Sequence, residues 1–268
     1  MVPSLETYVL LCISALAAGA LNAIAGGGTL LTFPVLLTVV PPVIANGTST
    51  VALVPGSMAG AWGYRRELQG CRKWLALLCG PCIVGGWVGT WLVTEMEERY
   101  FVILVPWLIL LATLLFLAQP TLSRLTGIGR GMQRPSLGTS VGVALFQFLV
   151  AVYGGYFGAG IGILMLSSLG LLGLTNIHQM NALKTFLAAC INLVAVVEFA
   201  AKGKVNWSYA LVMALAAIVG GYLGAHYARR LRPSLVRWFV IAIGFTLSAY
   251  FFFGQGLVGV EPPPPSAP

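Results

Sequence analysis

The stretch NAIAGGGT at residues 22–29 contains three consecutive glycines, Gly26–Gly27–Gly28, between two apolar segments. Glycine lacks a Cβ atom and readily adopts positive φ, so the backbone is not expected to continue as a helix there. By its position the break falls at membrane depth, where irregular backbone is tolerated only inside protein or beside a watery cavity. A second glycine-rich stretch, GGYFGAGIG, occupies residues 154–162. We interpret the two breaks as halves of one site.

The composition indicates an integral membrane protein. The 268 residues are 58% hydrophobic and 8% charged, whereas soluble domains are about 25% charged. Most of the 15 Lys and Arg residues fall in three short segments, 65–73, 124–134 and 229–237. Basic segments of this kind set the orientation of a membrane protein. Nucleic-acid binding would need a basic face on a folded polar domain, and this sequence contains no polar domain.

Ten apolar segments are expected to form helices. They run approximately 8–25, 29–40, 44–63, 74–93, 100–118, 137–153, 161–174, 180–201, 207–228 and 235–253. Most reach the roughly 17–25 residues that cross a bilayer as a helix. The second and seventh are too short, because at about 1.5 Å per residue they cover some 20 Å of a ~30 Å hydrocarbon core.

The two short segments hold corresponding places in two halves of the chain. Gly26, Gly27 and Gly28 align with Gly158, Ala159 and Gly160, and further on Asn46 aligns with Asn181 and Ser49 with Lys184. Glycine-interrupted segments at matching places in two halves point to a transporter binding site. We predict a first membrane repeat at 1–118, a basic cytoplasmic linker at 119–136, a second repeat at 137–256 and a disordered Pro-rich tail at 257–268.

Basic loops predict the topology, since Lys and Arg are retained in the cytoplasm. The segments 65–73, 124–134 and 229–237 are placed inside, and the Glu95–Glu98 turn outside. This arrangement requires the short seventh segment to cross and, by analogy, the second as well, although whether 29–40 and 161–174 cross fully stays open. The expected fold is an all-α membrane protein of two inverted repeats of five segments. It leaves Lys202 and Lys204 outside, against the rule.

Four motifs together resemble the TauE/SafE sulfite-exporter family. They are the glycine break after Asn22, the run Asn46–Ser49, the second break Gly158–Gly160, and Asn181–Lys184. The resemblance extends over about residues 8–253. It implies transport of small sulfur-containing anions such as sulfite, sulfonates or sulfoacetate. Members of the family differ in substrate and direction, so neither is inferred for this chain.

Lys184 is the clearest candidate for an anion ligand, because a cation inside an apolar segment costs ~3 kcal/mol or more. Asn181 shares its helix face, and glycine-led helix starts provide N–H groups with partial positive charge. The alternatives are a lysine that extends to the headgroups and glycines that allow close helix packing. The predicted substrate-binding residues are Asn22, Gly26, Gly27, Gly28, Asn46, Thr48, Ser49, Gly158, Gly160, Asn181 and Lys184.

A secondary transporter is therefore the leading interpretation, working by alternating access in the cytoplasmic (inner) membrane. We expect no enzyme activity, cofactor or metal, because paired carboxylates and His-rich clusters are absent from the sequence. A membrane redox carrier using Cys79 and Cys82 and a passive anion channel remain as alternatives. The expected partners are a small anion and the lipid bilayer, without nucleic acid. A homodimer is also expected, because two-fold assemblies are the commonest.

Overall fold

The computed structural model of the chain describes residues 5–24, 27–63, 65–125, 137–172, 174, 176–227 and 233–254, which contain helices and no strand. The helices are α1 (Leu5–Ile24), α2 (Thr29–Leu37), α3 (Pro42–Gly63), α4 (Arg65–Leu68), α5 (Arg72–Glu95), α6 (Glu98–Leu125), α7 (Leu137–Tyr156), α8 (Ile161–Leu171), α9 (Ile177–Ala201), α10 (Trp207–Tyr227) and α11 (Pro233–Gly254). Gly26, most of the predicted linker, Arg229–Arg232 and the tail at 257–268 lie outside the described residues.

Within the described residues, each of the ten predicted apolar segments contains a helix. The two short segments become α2, with 9 residues, and α8, with 11 residues, and each begins directly after a glycine. By length and composition, 5 of the described helices could cross a membrane. The all-α membrane fold is therefore confirmed. The first basic loop, where no helix was predicted, contains α4 and a 3₁₀ turn at Gln69–Cys71.

The two halves of the chain interlock. The most extensive helix contacts are those of α1 with α10 and of α5 with α7, so the helix of the fourth apolar segment in each half packs along the first helix of the other half. One buried cluster draws mainly on α1, α2, α3, α6 and α10, and the second on α5, α7, α8 and α9. Each core therefore contains helices from both halves.

Glycines make these close contacts possible. A Cβ atom at Gly220 of α10 would lie 1.9 Å from the Leu16 carbonyl oxygen, and one at Gly89 of α5 would lie 2.0 Å from the Val152 carbonyl oxygen. Small residues of this kind let helix backbones approach in a membrane, where apolar side chains gain little by leaving lipid. Since Gly85 meets Phe148 and Gly89 meets Val152, α5 and α7 run in the same direction.

An ion pair joins the ends of α5 and α9. Lys202 Nζ contacts Glu95 Oε1, and both side chains are partly exposed. The hydrogen bond to Glu95, together with the charge of that carboxylate, raises the pKa of Lys202 above its ordinary value. Of the two lysines that the predicted topology leaves outside, Lys202 is therefore paired with a carboxylate from the acidic turn.

Candidate functional site

The two glycine breaks lie side by side. Gly27, Gly158 and Gly160 have φ values of +92°, +81° and +77°, a conformation that side chains other than glycine rarely adopt. A Cβ atom at Gly27 would lie 3.8 Å from the Gly160 nitrogen, and one at Gly158 would lie 3.9 Å from Thr29 Oγ1. The structure thus brings together backbone that is far apart in sequence, at the starts of α2 and α8.

The start of α8 carries amide groups without acceptors. Gly160 precedes the helix in the left-handed conformation and no side chain caps it. The Ile163 N–H donates to the Gly160 carbonyl oxygen at 3.1 Å. No acceptor for the N–H groups of Ile161 and Gly162 occurs among the described residues. Uncapped N–H groups together with the helix dipole attract anions.

The start of α2 is organised differently. The Gly28 N–H donates to Asn22 Oδ1 at 2.7 Å, and the N–H groups of Leu30 and Leu31 donate to the carbonyl oxygens of Gly27 and Gly28. The Asn22 side chain therefore fixes the turn into α2 by accepting an amide hydrogen. In this arrangement the Gly28 N–H is not available to a ligand.

Lys184 lies against the start of α8. Its Cδ and Cε atoms would be 3.3 and 3.9 Å from a Cβ atom placed at Gly162. The side chain is half-buried. No carboxylate pairs with it in the described part of the chain, where the ion pairs are Arg99–Glu97 and Lys202–Glu95. An interior cation without a partner is costly, and a bound anion would offset that cost.

Ser49 reaches the first turn of α2. Its hydroxyl is 2.6 Å from that of Thr32, which also contacts the Gly28 carbonyl oxygen at 3.4 Å, and both side chains are fully buried. Sequence reasoning missed Thr32, although a threonine within a short apolar helix that follows a glycine break is a usable signal. The pair connects α3 to the break.

The remaining predicted side chains have different surroundings. Asn46, of which 1% is exposed, donates from Nδ2 to the Tyr156 carbonyl oxygen at 2.8 Å. Thr48 accepts the Asn206 N–H at 2.9 Å and thereby supports the start of α10. Asn181 lies on α9 one turn before Lys184 and is half-buried.

Two further polar residues were missed. Gln147 of α7 is fully buried, and neither amide atom of its side chain has a partner among the described residues. Tyr153 donates its hydroxyl to the Ala159 carbonyl oxygen at 2.7 Å, which holds the second break. The alignment that pairs Gly26 with Gly158 pairs Gln147 with Ala15, so comparison of the halves gives Gln147 no polar counterpart.

The cysteines of the redox alternative carry free thiols. Cys79 and Cys82 on α5 are both unbridged, as is Cys190 on α9. Within the described ranges, no group of three or more His, Cys, Asp and Glu side chains could hold a metal ion.

Comparison with known proteins gives a consistent result. Residues 11–251 match the family "Sulfite exporter TauE/SafE". A probable membrane transporter protein of Haemophilus influenzae is 31% identical over 252 residues, covering 92% of this chain and 95% of that protein. The probable membrane transporter protein YfcA of Escherichia coli K12 is 27% identical, covering 89% and 87%. YunE of Bacillus subtilis, another probable membrane transporter protein, is 27% identical, covering 90% and 97%.

The family match covers nearly the whole chain, and it includes both glycine breaks and all the predicted site residues. The chain therefore belongs to the sulfite exporter TauE/SafE family of multi-pass membrane transporters.

Proposed function

We propose that the protein is a secondary transporter, not an enzyme, and that it moves a small sulfur-containing anion of the sulfite, sulfonate or sulfoacetate type across the cytoplasmic membrane. The observation that carries this proposal is the meeting of the two glycine breaks beside Lys184, a cation without a carboxylate partner in the described residues. The family name, sulfite exporter, supports the substrate class.

The anion is bound at the start of α8. The Ile161 and Gly162 N–H groups provide donors and partial positive charge, and Lys184, whose stem lies against Gly162, provides a full charge. Charge-assisted hydrogen bonds are roughly twice as strong as neutral ones. A compact oxyanion suits this arrangement, because its several oxygens accept hydrogen bonds from different directions.

The two halves contribute unequally. In the first half Asn22 accepts the Gly28 amide and Ser49, the counterpart of Lys184, bonds to Thr32. The first half therefore shapes the site through fixed hydrogen bonds, while the second half supplies the charge. Alternating access follows if the interlocked bundles rock around the paired breaks, as in other transporters built from repeats.

The proposal is tested by ligand stabilisation of the purified protein. A ligand that binds the native state raises the melting temperature, so sulfite, sulfate, thiosulfate, sulfoacetate and taurine are compared. At least one sulfur oxyanion should stabilise the protein. Replacing Lys184 by Gln should weaken binding of that anion by about 1.5–3 kcal/mol, which is roughly ten- to a hundredfold.

Lys73→Gln is the matched control, because Lys73 is an exposed cation beside the Trp74 ring and remote from the breaks in sequence. It should leave the dissociation constant unchanged. If Lys184→Gln binds the anion as tightly as the parent, Lys184 is a lysine that extends to the headgroups and the proposed site is wrong.

Transport assays separate the two alternatives. A passive channel cannot accumulate an anion against its electrochemical gradient, whereas a coupled transporter reconstituted in vesicles does. A redox carrier would lose its activity when Cys79 and Cys82 are both replaced by Ser. The proposed transporter should keep most of its flux.

A further inference from the structure

Asn46 carries a buried oxygen that no donor satisfies. The residue is 1% exposed, and its Oδ1 has no hydrogen-bond partner in the described part of the chain. The orientation of the amide is set by Nδ2, which donates to the Tyr156 carbonyl oxygen at 2.8 Å. Turning the amide over would bring two oxygens together, so the unsatisfied atom is an acceptor. A buried polar atom without a partner costs about 1–3 kcal/mol.

The anion of the proposed function cannot satisfy this atom. The oxygens of a fully ionised sulfite or sulfonate are acceptors, and an acceptor does not pair with another acceptor. Asn46 Oδ1 therefore requires a ligand that is positively charged or carries a hydrogen-bond donor. This ligand is bound in addition to the anion that Lys184 attracts.

The surroundings of Asn46 favour positive charge. Tyr156 is the last residue of α7, and the C-terminal end of a helix carries partial negative charge. Ser49 lies one turn further along α3, on the same helix face as Asn46, and its oxygen is 2.6 Å from that of Thr32. A side-chain carbonyl, a helix-terminal carbonyl and two hydroxyls thus occur in one region of the fold.

The chemistry of these groups selects among cations. All are oxygen atoms, which suit hard cations rather than soft ones. The oxygens named are neutral, so they match a single positive charge better than a double one. Neutral carbonyls at broken helices are a recurrent way for transporters to hold sodium.

We propose that Asn46 Oδ1 is a ligand of a sodium ion bound at the C-terminal end of α7, beside the anion site. The role of this sodium ion rests on the proposed function. The cation and the anion are bound at the same time, so each raises the affinity of the protein for the other. By linkage the two factors are equal. Sodium then serves as the coupling ion of the transporter.

Thermal unfolding of the purified full-length protein tests the sodium site without any anion substrate. Sodium chloride is compared with potassium chloride and choline chloride at equal ionic strength. Sodium should raise the melting temperature above the other two salts, in a saturable way. Asn46→Ala should weaken the apparent sodium affinity roughly tenfold or more, as expected for loss of a ligand to a charged group.

Asn192→Ala is the matched control, because Asn192 is a half-buried asparagine elsewhere on α9 and has no place in the site. It should keep the sodium response. Asn46→Asp provides a second variant in case Asn46→Ala does not fold. It puts a carboxylate next to the Tyr156 carbonyl oxygen, so its stability should depend more strongly on sodium than that of the parent.

The outcomes separate the two proposals. Sodium stabilisation that fails in Asn46→Ala supports the cation site, even if no sulfur anion stabilises the protein and the proposed substrate class is wrong. Anion binding that is equal in sodium, potassium and choline overturns the role of sodium as the coupling ion and leaves the anion site standing. Equal sodium responses in the parent and Asn46→Ala overturn the cation site, because sodium would then bind elsewhere.

Discussion

At the scale of single residues, positive φ at the breaks determines what the site can be. Gly160 precedes α8 in the left-handed conformation, and no side chain caps the first turn of that helix. A residue with a Cβ atom would adopt this conformation at a cost of about 1–2 kcal/mol. The glycine is therefore required by the backbone that exposes the Ile161 and Gly162 amides.

Gly160→Ala should destabilise the protein and weaken anion binding for conformational reasons alone. The nearest atom to a new Cβ would be Ala112 Cα at 3.5 Å, which is ordinary contact, so steric overlap does not contribute. The expected loss is about 1–2 kcal/mol, measured by thermal unfolding and by the dissociation constant of the stabilising anion. Gly142→Ala is the control, because that glycine lies within α7 with nothing within 4 Å of a new Cβ.

Gly142→Ala should be neutral or slightly stabilising, since alanine favours a helix by up to about 1 kcal/mol over glycine. Equal behaviour of the two variants would show that the left-handed residue at the start of α8 has no role in stability or binding.

At the scale of helices, the sequence predicted where helices begin better than which side chains contact one another. Glycine-rich breaks and segment length located the starts of α2 and α8, because a helix ends at each break and the short apolar segment after the break begins the next helix. Residue chemistry alone did not separate the roles of Asn22, Thr48 and Ser49. In a single sequence, a side-chain oxygen that fixes a turn cannot be distinguished from one that supports another helix or binds a ligand. The contacts of Thr48 with Asn206 and of Ser49 with Thr32 depend on which helices meet.

The contacts between helices of different halves could not be predicted from the sequence either. Glycines at 85, 86, 89, 220 and 221 favour close helix packing, but the facing helix cannot be read from glycine spacing. The structure shows that these glycines face the other half of the chain, where Gly89 meets Val152 of α7 and Gly220 meets Leu16 of α1. Close packing was predictable, and the exchange of helices between the halves was not.

Gly89→Ala should therefore push α5 away from α7. The new Cβ would lie 2.0 Å from the Val152 carbonyl oxygen, and backbone cannot move aside as a side chain does. Overpacking of this kind typically costs about 1–3 kcal/mol. Gly80→Ala on the same helix has nothing within 4 Å of its Cβ and should be harmless.

Thermal unfolding in detergent compares these two variants, and a retained melting temperature for Gly89→Ala would contradict the close α5–α7 contact. Unlike Gly160→Ala, Gly89→Ala should not alter anion affinity in the fraction that remains folded, because α5 contributes no side chain to the proposed site.

At the scale of the whole molecule, each half depends on the other. Since α1 packs along α10 and α7 along α5, a separated first half would expose the face of α1 that packs on α10 and leave α5 without its partner. The predicted repeats therefore describe how the sequence is duplicated, while the packing units cross the boundary between them. A pair of breaks held between two interlocked bundles suits a site that must be reached alternately from each side.

Membrane orientation is the remaining whole-molecule prediction, and the structure indicates which residue of the first basic loop can test it. The native thiol of the first basic loop, Cys71, is fully buried, so it is a poor target for labelling. Gln69, two residues earlier in the same 3₁₀ turn, is exposed. Gln69→Cys in a Cys71→Ser background should react with a membrane-impermeant maleimide in inverted vesicles and not in intact cells, because basic loops stay in the cytoplasm.

Glu97→Cys is the opposite control. Glu97 is exposed at the α5–α6 turn and pairs with Arg99, and the predicted topology places that turn outside, so its thiol should react in intact cells. Labelling of Gln69→Cys in intact cells together with protection of Glu97→Cys would reverse the orientation of the whole protein. It would also place the pair Lys202–Glu95 in the cytoplasm, where the lysine would obey the charge rule without needing the carboxylate.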